Sequence, residues 1–242
     1  MANETEPRVA LVTGATSGIG RAIAIRLAKD GFEVVVHGRD ARRGAEVVEE
    51  IESGGGRARF MAADLGDRSD VARLASAVGD VDVLVNNAGL GWLGPTADLD
   101  VDTFDRMFAV NVRAPYFLVA AFAPTMAERG RGSIVNIGSI AGEVGVAGGA
   151  AYGATKASLT SMTKAWAAEF SPRGVRINTV ASGPVYTSVT PPEAIEAVVK
   201  TTLMDRAADP EEIADVVSFL ASSQSSYVTG AMLPADGGRI AV

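Results

Sequence analysis

The chain has 242 residues, 22 of them Lys or Arg and 29 Asp or Glu, so its formal net charge is −7. This acidic balance, without a basic patch, argues against a nucleic-acid partner. There is no cysteine and only one histidine, His37, which excludes disulfides and thiolate catalysis and leaves no metal site to expect. The 27 glycines exceed the usual share of ~7% and indicate close backbone approach somewhere in the fold.

The N-terminal residues give no sign of targeting. Residues 1–7 are polar and acidic, unlike a signal or transit peptide. The most apolar run, Ala114–Ala127, is too short to span a bilayer and contains Pro115 and Pro124. These features predict a cytoplasmic protein without a membrane partner.

Strand and helix patterns alternate along the whole chain. Strands are predicted at Val9–Thr13, Glu33–Val36, Ala58–Ala63, Val81–Val85, Ser133–Ile137, Val175–Val180 and Ala231–Leu233. Helices are predicted at Ile19–Asp30, Ala41–Ser53, Arg68–Val78, Val101–Arg129, Ala151–Ser171 and Pro210–Ala221. Nearly continuous apolar strands are typical of a sheet covered on both faces. The pattern predicts an α/β fold: one doubly wound Rossmann domain over residues 1–242, with a mostly parallel seven-stranded sheet and helices on both faces.

A glycine-rich loop, Thr13–Gly20, joins the first strand to the first helix. Glycines there permit a tight turn and let a pyrophosphate approach the N–H groups at the positive end of the helix. The spacing Gly-x-x-x-Gly-x-Gly differs from the common dinucleotide pattern, but its place directly after the first strand argues against a turn that binds nothing. The candidate cofactor-binding residues of this loop are Gly14, Thr16, Ser17, Gly18, Ile19 and Gly20.

The end of the second strand, His37-Gly38-Arg39-Asp40, bears on the choice of cofactor. A carboxylate at this place accepts from a ribose 2′-hydroxyl of NAD(H), and a cation holds the 2′-phosphate of NADP(H). Asp40 stands directly before a helix and is a natural N-cap, whereas the fork of Arg39 suits a phosphate. NADP(H) is therefore favoured, with NAD(H) as the alternative. His37 is expected near the adenine pocket and not in catalysis.

Further motifs follow later strands. Asn86-Asn87-Ala88-Gly89 closes the fourth strand, Ser139 follows the fifth, and Tyr152-Gly153-Ala154-Thr155-Lys156 opens a helix. Together with the glycine loop, they resemble the classical short-chain dehydrogenase/reductase family over essentially the whole chain. Within that family the sequence is most similar to 3-oxoacyl carrier-protein reductases and polyketide ketoreductases.

The resemblance implies a catalytic set of Ser139, Tyr152, Lys156 and Asn111. In the family the tyrosine protonates the carbonyl oxygen, the serine hydrogen-bonds that oxygen, and the lysine also holds the nicotinamide ribose. Tyr152 and Lys156 are four residues apart and so share one helix face, where an ammonium favours the phenolate. This set explains how a chain without cysteine can carry out proton chemistry.

Asn111 matches the family residue whose backbone carbonyl holds a water in a relay to the lysine. Pro115, four residues later, has no N–H to donate to that carbonyl. The same proline is equally compatible with a helix that is merely kinked, and both interpretations stay open.

Other cofactor contacts are implied by the resemblance alone. Asp64 and Leu65 match the pair at the adenine ring, and Asn87, Ala88 and Gly89 match the backbone at the adenosine ribose. Around the nicotinamide, Gly183, Val185 and Thr187 fit the family pattern, whereas Ser182 replaces the usual proline. Arg39 follows a glycine where NAD-preferring members usually carry an acid, which again favours NADP(H).

The substrate lid is expected at about residues 186–206, with Trp92 as a further pocket candidate. Lys200 is the only lid cation before Arg206, which weakens the case for an acidic carrier-protein substrate, and a small apolar ketone fits at least as well. Apolar residues of the two long helices fit either the core or family-like dimer contacts that build a homotetramer: Phe117, Phe122, Trp166 and Phe170.

We therefore expect an NADPH-dependent oxidoreductase that reduces a 3-oxoacyl thioester or another apolar carbonyl compound to a secondary alcohol. One alternative is an NAD-dependent alcohol dehydrogenase of the same family. Another is a catalytically idle dinucleotide-binding sensor or scaffold.

Overall fold

Seven parallel strands form one sheet in the computed structural model, which describes residues 8–187 and 192–242. The strand order is β3-β2-β1-β4-β5-β6-β7. The strands are β1 Val9–Val12, β2 Glu33–Gly38, β3 Arg57–Ala62, β4 Val83–Asn86, β5 Gly132–Ser139, β6 Val175–Ser182 and β7 Met232–Ala235. The expected α/β fold with a seven-stranded parallel sheet is confirmed. The polar start of the chain and residues 188–191 of the expected lid lie outside the described residues.

Eight α-helices are found in the part of the chain that the structure describes. They are α1 Gly18–Lys29, α2 Ala41–Ser53, α3 Arg68–Val78, α4 Val101–Phe108, α5 Ala114–Glu128, α6 Ala150–Phe170, α7 Pro192–Val199 and α8 Pro210–Ala221. The helices α2, α3 and α4 begin at N-cap aspartates. Asp40, Asp67 and Asp100 each accept a hydrogen bond from a backbone N–H of the first turn. The expected N-cap role of Asp40 is confirmed.

The long helix expected at Val101–Arg129 is divided by one wide turn. Residues Ala109–Arg113 form a π-helical turn between α4 and α5, in which the Ala114 N–H donates to the carbonyl of Ala109, five residues back. Pro115 cannot continue the ordinary ladder because it has no N–H. The combined segment Val101–Glu128 has 28 residues and, by length and hydropathy, could cross a membrane, but 56% of its most apolar window is buried inside the protein.

Alternate residues of each central strand enter two separate cores. Val12 and Val36 face the core under α1, α2 and α8, whereas Leu11 and Val35 face the core under α3, α5 and α6. Phe122, Trp166 and Phe170 are buried in the second core, so of the four apolar residues with two interpretations only Phe117 remains exposed, at 48%.

The sheet has a topological switch point between β1 and β4. The first three strands extend the sheet to one side of β1, and the later strands extend it to the other. In sheets of this kind a crevice opens at the carboxyl ends of the strands beside such a switch point. The glycine loop after β1 and the Asn87–Gly89 segment after β4 lie at this crevice.

Candidate active site

The glycine loop leaves the start of α1 open toward the crevice. Ser17 is the N-cap, but its side chain makes no capping hydrogen bond, and the first turn of α1 contains no acidic residue. The first N–H groups of a helix without such a cap are suited to an anion. A Cβ at Gly20 would lie 2.2 Å from the carbonyl oxygen of Gly14, so only glycine fits there.

The side chains of Thr13 and Asn87 tie the loop to the end of β4. Thr13 Oγ1 accepts from the backbone N–H groups of Asn87, at 3.0 Å, and Ala88, at 3.1 Å. Asn87 Nδ2 donates to the carbonyls of Thr13, at 2.8 Å, and Gly14, at 3.1 Å. The side chain and the backbone N–H of Asn87 are thus committed to contacts within the protein, and its backbone carbonyl remains for the expected ribose contact.

The two residues after β2, Arg39 and Asp40, differ in their contacts. Asp40 accepts the Arg43 N–H and pairs with the Arg43 guanidinium at 3.0 Å, and the backbone hydrogen bond from Arg43 lowers the pKa of this carboxyl. Arg39 is exposed and forms no ion pair among the described residues. A Cβ at Gly38 would lie 2.4 Å from Thr16 Cγ2, so a larger residue here would displace the Thr16 side chain. The guanidinium of Arg39, rather than the carboxylate of Asp40, is therefore available to a ligand at the end of β2.

An arginine from a distant helix holds the expected adenine-side residue Asp64. Arg106 of α4 donates to both carboxylate oxygens of Asp64, at 3.0 and 2.8 Å, and this hydrogen bonding lowers the pKa of the carboxyl. Arg113 of the π turn donates to the carbonyl of Gly66. Leu65 is buried in the second core, so only its backbone is left for a nucleotide. No spacing rule relates residue 106 to residue 64, which is why sequence reasoning missed this pair.

His37 lies between the glycine loop and the turn after β3. Its side chain is 2% exposed, and burial lowers its pKa to about 4. Nδ1 accepts from the Gly14 N–H at 3.2 Å, and Nε2 lies 3.1 Å from the carbonyl oxygen of Ala63. These contacts place His37 beside Ala63, which precedes the expected adenine-side residue Asp64, and the link to Gly14 was not foreseen.

The catalytic candidates of β5 and α6 meet at the same edge of the sheet. Ser139 is the last residue of β5, and its Oγ accepts the Ala141 N–H at 3.2 Å. Lys156 is only 5% exposed; its Nζ donates to the carbonyl of Ile137 at 2.8 Å and lies 5.8 Å from the ring centre of Tyr152. Lys156 forms no salt bridge with any carboxylate in residues 8–187 and 192–242. A buried ammonium with donors to spare fits the hydroxyl oxygens of a ribose.

Two glycines allow the start of α6 to press against the turn that follows Ser139. A Cβ at Gly153 would lie 2.5 Å from the carbonyl oxygen of Ala141, and one at Gly142 would lie 2.8 Å from the backbone nitrogen of Ala157. These close backbone approaches fix where Tyr152, next to Gly153, stands relative to Ser139. They give a reason for two of the surplus glycines.

Asn111 joins three segments of the site through its fully buried side chain. Its Oδ1 accepts the Leu90 N–H at 2.8 Å, and its Nδ2 donates to the Leu90 carbonyl at 2.7 Å and to Thr155 Oγ1 at 3.0 Å. Thr155 Oγ1 in turn donates to the carbonyl of Tyr152. The backbone of Asn111 lies in the π turn before Pro115. The side chain thus locks the loop after β4 onto α6, a role that the sequence did not suggest.

The residues after β6 form the other wall of the crevice. A Cβ at Gly183 would lie 2.6 Å from the Cα of Asp236, so the end of β7 requires glycine here. Val185 forms an isolated parallel bridge with Ala208. Both hydrogen bonds of this bridge join Ala208 to the neighbours of Val185: the Ala208 N–H donates to Pro184, and the Tyr186 N–H donates to Ala208. The N–H and C=O of Val185 itself therefore point away from Ala208, toward the opposite side. The Ser182 hydroxyl lies 3.4 Å from the carbonyl oxygen of Gly138, which ties β6 to β5.

Trp92 lines a cavity that does not include the catalytic candidates. This apolar cavity, of about 470 Å³, lies between the loop after β4, α4 and α6, and its lining includes Phe104, Phe108 and Ala154 but neither Ser139 nor Tyr152. The Trp92 ring packs over Gly94. Trp92 is a pocket residue as expected, but of a pocket that the catalytic candidates do not line.

The fold, the glycine loop and the Ser139–Tyr152–Lys156 arrangement define a class of protein. The chain belongs to the short-chain dehydrogenase family, whose model, described as short chain dehydrogenase, matches residues 8–196. The expected family is thereby confirmed.

Similar proteins include enzymes named for oxidation and for reduction. The 2,5-dichloro-2,5-cyclohexadiene-1,4-diol dehydrogenase LinX of Sphingobium indicum is 38% identical, over 98% of both chains. The 3-oxoacyl-(acyl-carrier-protein) reductase FabG of Thermotoga maritima is 35% identical, over 97% of this chain and 98% of its own. The chain is therefore an oxidoreductase of this family, and its relatives include ketoreductases and alcohol dehydrogenases.

Solved structures agree in fold over nearly the whole chain. A short chain dehydrogenase/reductase family protein is 50% identical, covers 99% of this chain and 100% of its own, and superposes with a TM-score of 0.90. The angucycline C-6 ketoreductase LanV with bound NADP is 35% identical, covers 97% and 96%, and has a TM-score of 0.92.

Proposed function

We propose that this chain is an NADPH-dependent reductase that converts an apolar ketone to a secondary alcohol. The observation that carries the proposal is the buried Lys156 ammonium, which lies one helical turn from Tyr152, donates to Ile137 and has no carboxylate partner among the described residues. A buried charge that is not neutralised within the protein is costly unless a ligand or a reacting group uses it. A phenol beside it and a nucleotide hydroxyl are two such uses.

The side chains have separate tasks in this reaction. NADPH, when bound, would supply a hydride for the carbonyl carbon. Tyr152 gives its phenolic proton to the carbonyl oxygen, and Ser139 donates a hydrogen bond to the same oxygen as negative charge develops there. Lys156 stabilises the phenolate that Tyr152 leaves behind. The carbonyl of Asn111 holds a water that returns a proton toward Lys156.

The cofactor cradle is proposed at the residues whose local structure supports it. The open N-terminus of α1 would hold the pyrophosphate, Arg39 the 2′-phosphate, Asp64 and Leu65 the adenine, and Asn87–Gly89 the adenosine ribose. Val185, with its backbone groups turned away from Ala208, would meet the carboxamide, flanked by Gly183 and Thr187. Residues 186–206 would act as the substrate lid of a single domain.

The decisive test is ketone reduction by Tyr152→Phe, with Tyr227→Phe as the matched control because Tyr227 is fully exposed. A panel of cyclic, aryl and 3-oxoacyl ketones is assayed with NADPH by its absorbance. Tyr152→Phe should lose turnover at least about a hundredfold, the usual contribution of a positioned general acid, while the Kd for NADPH stays unchanged. Equal activity in both variants would refute the proposal and favour an idle dinucleotide sensor.

An NAD-dependent alcohol dehydrogenase is the second candidate, favoured by the resemblance to the diol dehydrogenase LinX. The two candidates differ at Arg39. With NADPH as cofactor, Arg39→Ala should weaken NADPH binding about tenfold or more and leave NADH binding unchanged, because only the 2′-phosphate loses its partner. Tighter binding of NADH than of NADPH by the unmodified protein would support the second candidate.

The substrate is proposed to be a small or medium apolar ketone and not one delivered on an acidic carrier protein. Among the cations at the end of the lid, Arg206 is already paired with the carboxylate of Glu212, at 2.6 Å. Little positive charge is therefore left for an acidic partner. Turnover of the free ketones in the panel at rates above those of carrier-bound 3-oxoacyl groups is the expected result.

We further propose a homotetramer in which the α4–α5 face contacts a second copy. Large apolar side chains are exposed on this face, namely Val101, Phe104, Tyr116 and Phe117. Val101 and Phe104 border the cavity that Trp92 lines, whereas Tyr116 and Phe117 line a separate cavity. An apolar patch of this kind marks an interface. Phe117→Glu should shift the mass measured by light scattering from that of the tetramer toward that of the dimer, and an unchanged mass would argue against this face.

A further inference from the structure

The single histidine of the chain has a place in the site that the proposed reaction does not use. His37 is the fifth residue of β2, and the next strand position is Gly38, where the chain turns toward Arg39. Its side chain is almost completely buried, yet both ring nitrogens lie within hydrogen-bonding distance of backbone groups. A buried side chain that satisfies two backbone groups on different segments fixes the distance between those segments.

The two partners determine the state of the ring. The Gly14 N–H can only donate, so Nδ1 is unprotonated, and the Ala63 carbonyl can only accept, so Nε2 carries the proton. Burial keeps the ring neutral by lowering its pKa to about 4, although Asp64 and Asp70 oppose this shift. The ring is therefore present as one neutral tautomer under ordinary conditions.

Each partner begins one wall of the adenosine half of the crevice. Gly14 is the first glycine of the loop and has a φ of +65°. It packs so closely against Ala88 that a Cβ on Gly14 would lie 2.9 Å from the Cα of Ala88. Ala63 directly precedes Asp64, whose carboxylate Arg106 holds from the other side. The backbone carbonyl of His37 adds a third bond, from the Ala15 N–H at 2.8 Å.

We propose that His37 is a positioning residue for the cofactor, whose neutral imidazole sets the separation between the glycine loop and the adenine-side turn at residues 63–65. This inference rests on the proposed function, in which the adenosine half of NADP(H) lies between these two walls. His37 touches neither the nicotinamide end nor the catalytic set. Its effect therefore falls on cofactor affinity and not on the chemical step.

The first test compares His37→Leu with Asn178→Leu. Asn178 is a matched control because it is equally buried and also bridges two backbone groups, donating to Val228 and accepting from Ala231, but at the far side of the sheet. His37→Leu should raise the Kd for adenosine 2′,5′-bisphosphate and the KM for NADPH about tenfold, as expected for two lost hydrogen bonds, with kcat changed less than about twofold. Asn178→Leu should leave both constants unchanged.

A second probe separates positioning from a general loss of structure. Reduced nicotinamide mononucleotide lacks the adenosine half, so its turnover should be the same in His37→Leu and in the unmodified protein. An equal loss with this dinucleotide fragment and with NADPH, or an unchanged Kd for the bisphosphate, would overturn the inference. Failure of the unmodified protein to bind the bisphosphate or NADPH would instead overturn the proposed function.

The third measurement needs no variant and so remains decisive if His37→Leu does not fold. Because the untagged chain has one histidine, ¹⁵N NMR of histidine-labelled protein shows a single imidazole. We expect the Nε2-protonated tautomer, and a shift of both nitrogen resonances when the bisphosphate binds. The Nδ1-protonated tautomer, or resonances that the bisphosphate leaves unmoved, would contradict the proposed role.

Discussion

Acidification from pH 7 to pH 5 should destabilise this protein through His37 before its carboxylates respond. Burial lowers the pKa of His37 from 6.5 to about 4, so in this range the unfolded chain binds a proton that the folded protein does not. Stability is therefore complete above pH 6.5 and declines as the pH falls toward 4. At pH 5, which is about 1.5 pH units below the unfolded value, the loss is about 2 kcal/mol, at ~1.4 kcal/mol per unit.

Urea unfolding at pH 7, 6 and 5, at one fixed protein concentration, measures this decline. His37→Asn is the control because it removes the titrating group, and its free energy of unfolding should change by less than about 0.5 kcal/mol over the same range. The pKa values of Asp40 and Asp64 are lowered by Arg43 and Arg106, so their losses fall at lower pH. Equal declines in both proteins, or a histidine NMR titration with a midpoint near 6.5, would refute the reasoning.

Three further predictions concern glycine and arginine positions. Gly20→Ala should cost about 2 kcal/mol or more of unfolding free energy in urea and abolish NADPH binding, because its Cβ would strike the Gly14 carbonyl; normal affinity would contradict this. Arg106→Gln should weaken binding of adenosine 2′,5′-bisphosphate, measured by calorimetry, several-fold because it releases Asp64. The free energy of unfolding in urea should change by less than about 1 kcal/mol, since the Arg106–Asp64 pair is partly exposed. Arg176→Met should cost about 3 kcal/mol in urea, because the carbonyls at the end of α8 lose their donor, and an unchanged midpoint would exclude that role.

Most of the fold could be predicted because its signals are local. Apolar strands alternate with helices that begin at aspartate N-caps, as at Asp40 and Asp100, and this pattern is enough to indicate a parallel sheet covered on both faces. The apolar spacing predicts one continuous helix after β4 because a wide π turn has no signature in that spacing. Only Pro115 marked its position, and the proline alone could not distinguish a kink from a released carbonyl.

The candidate site was foreseen where motif residues follow strand ends and missed where partners come from distant segments. Ser139, Tyr152 and Lys156 lie at one edge because parallel strands end there together. The holding contacts are different: Arg106 on Asp64 joins residues 42 apart in the chain. Such pairs follow from how α4 crosses the sheet edge, and no local pattern encodes that.

The sequence by itself determined the class of fold and the chemical groups available: no thiol, one histidine, a glycine loop and a Tyr–Lys pair on one helix face. These are properties of composition and short-range spacing. The tertiary structure decided which groups touch: it buried Lys156 away from every carboxylate that the structure describes, and it enclosed His37 between two loop backbones. It also explains several of the surplus glycines, because they lie where two backbone segments approach too closely to leave room for a Cβ.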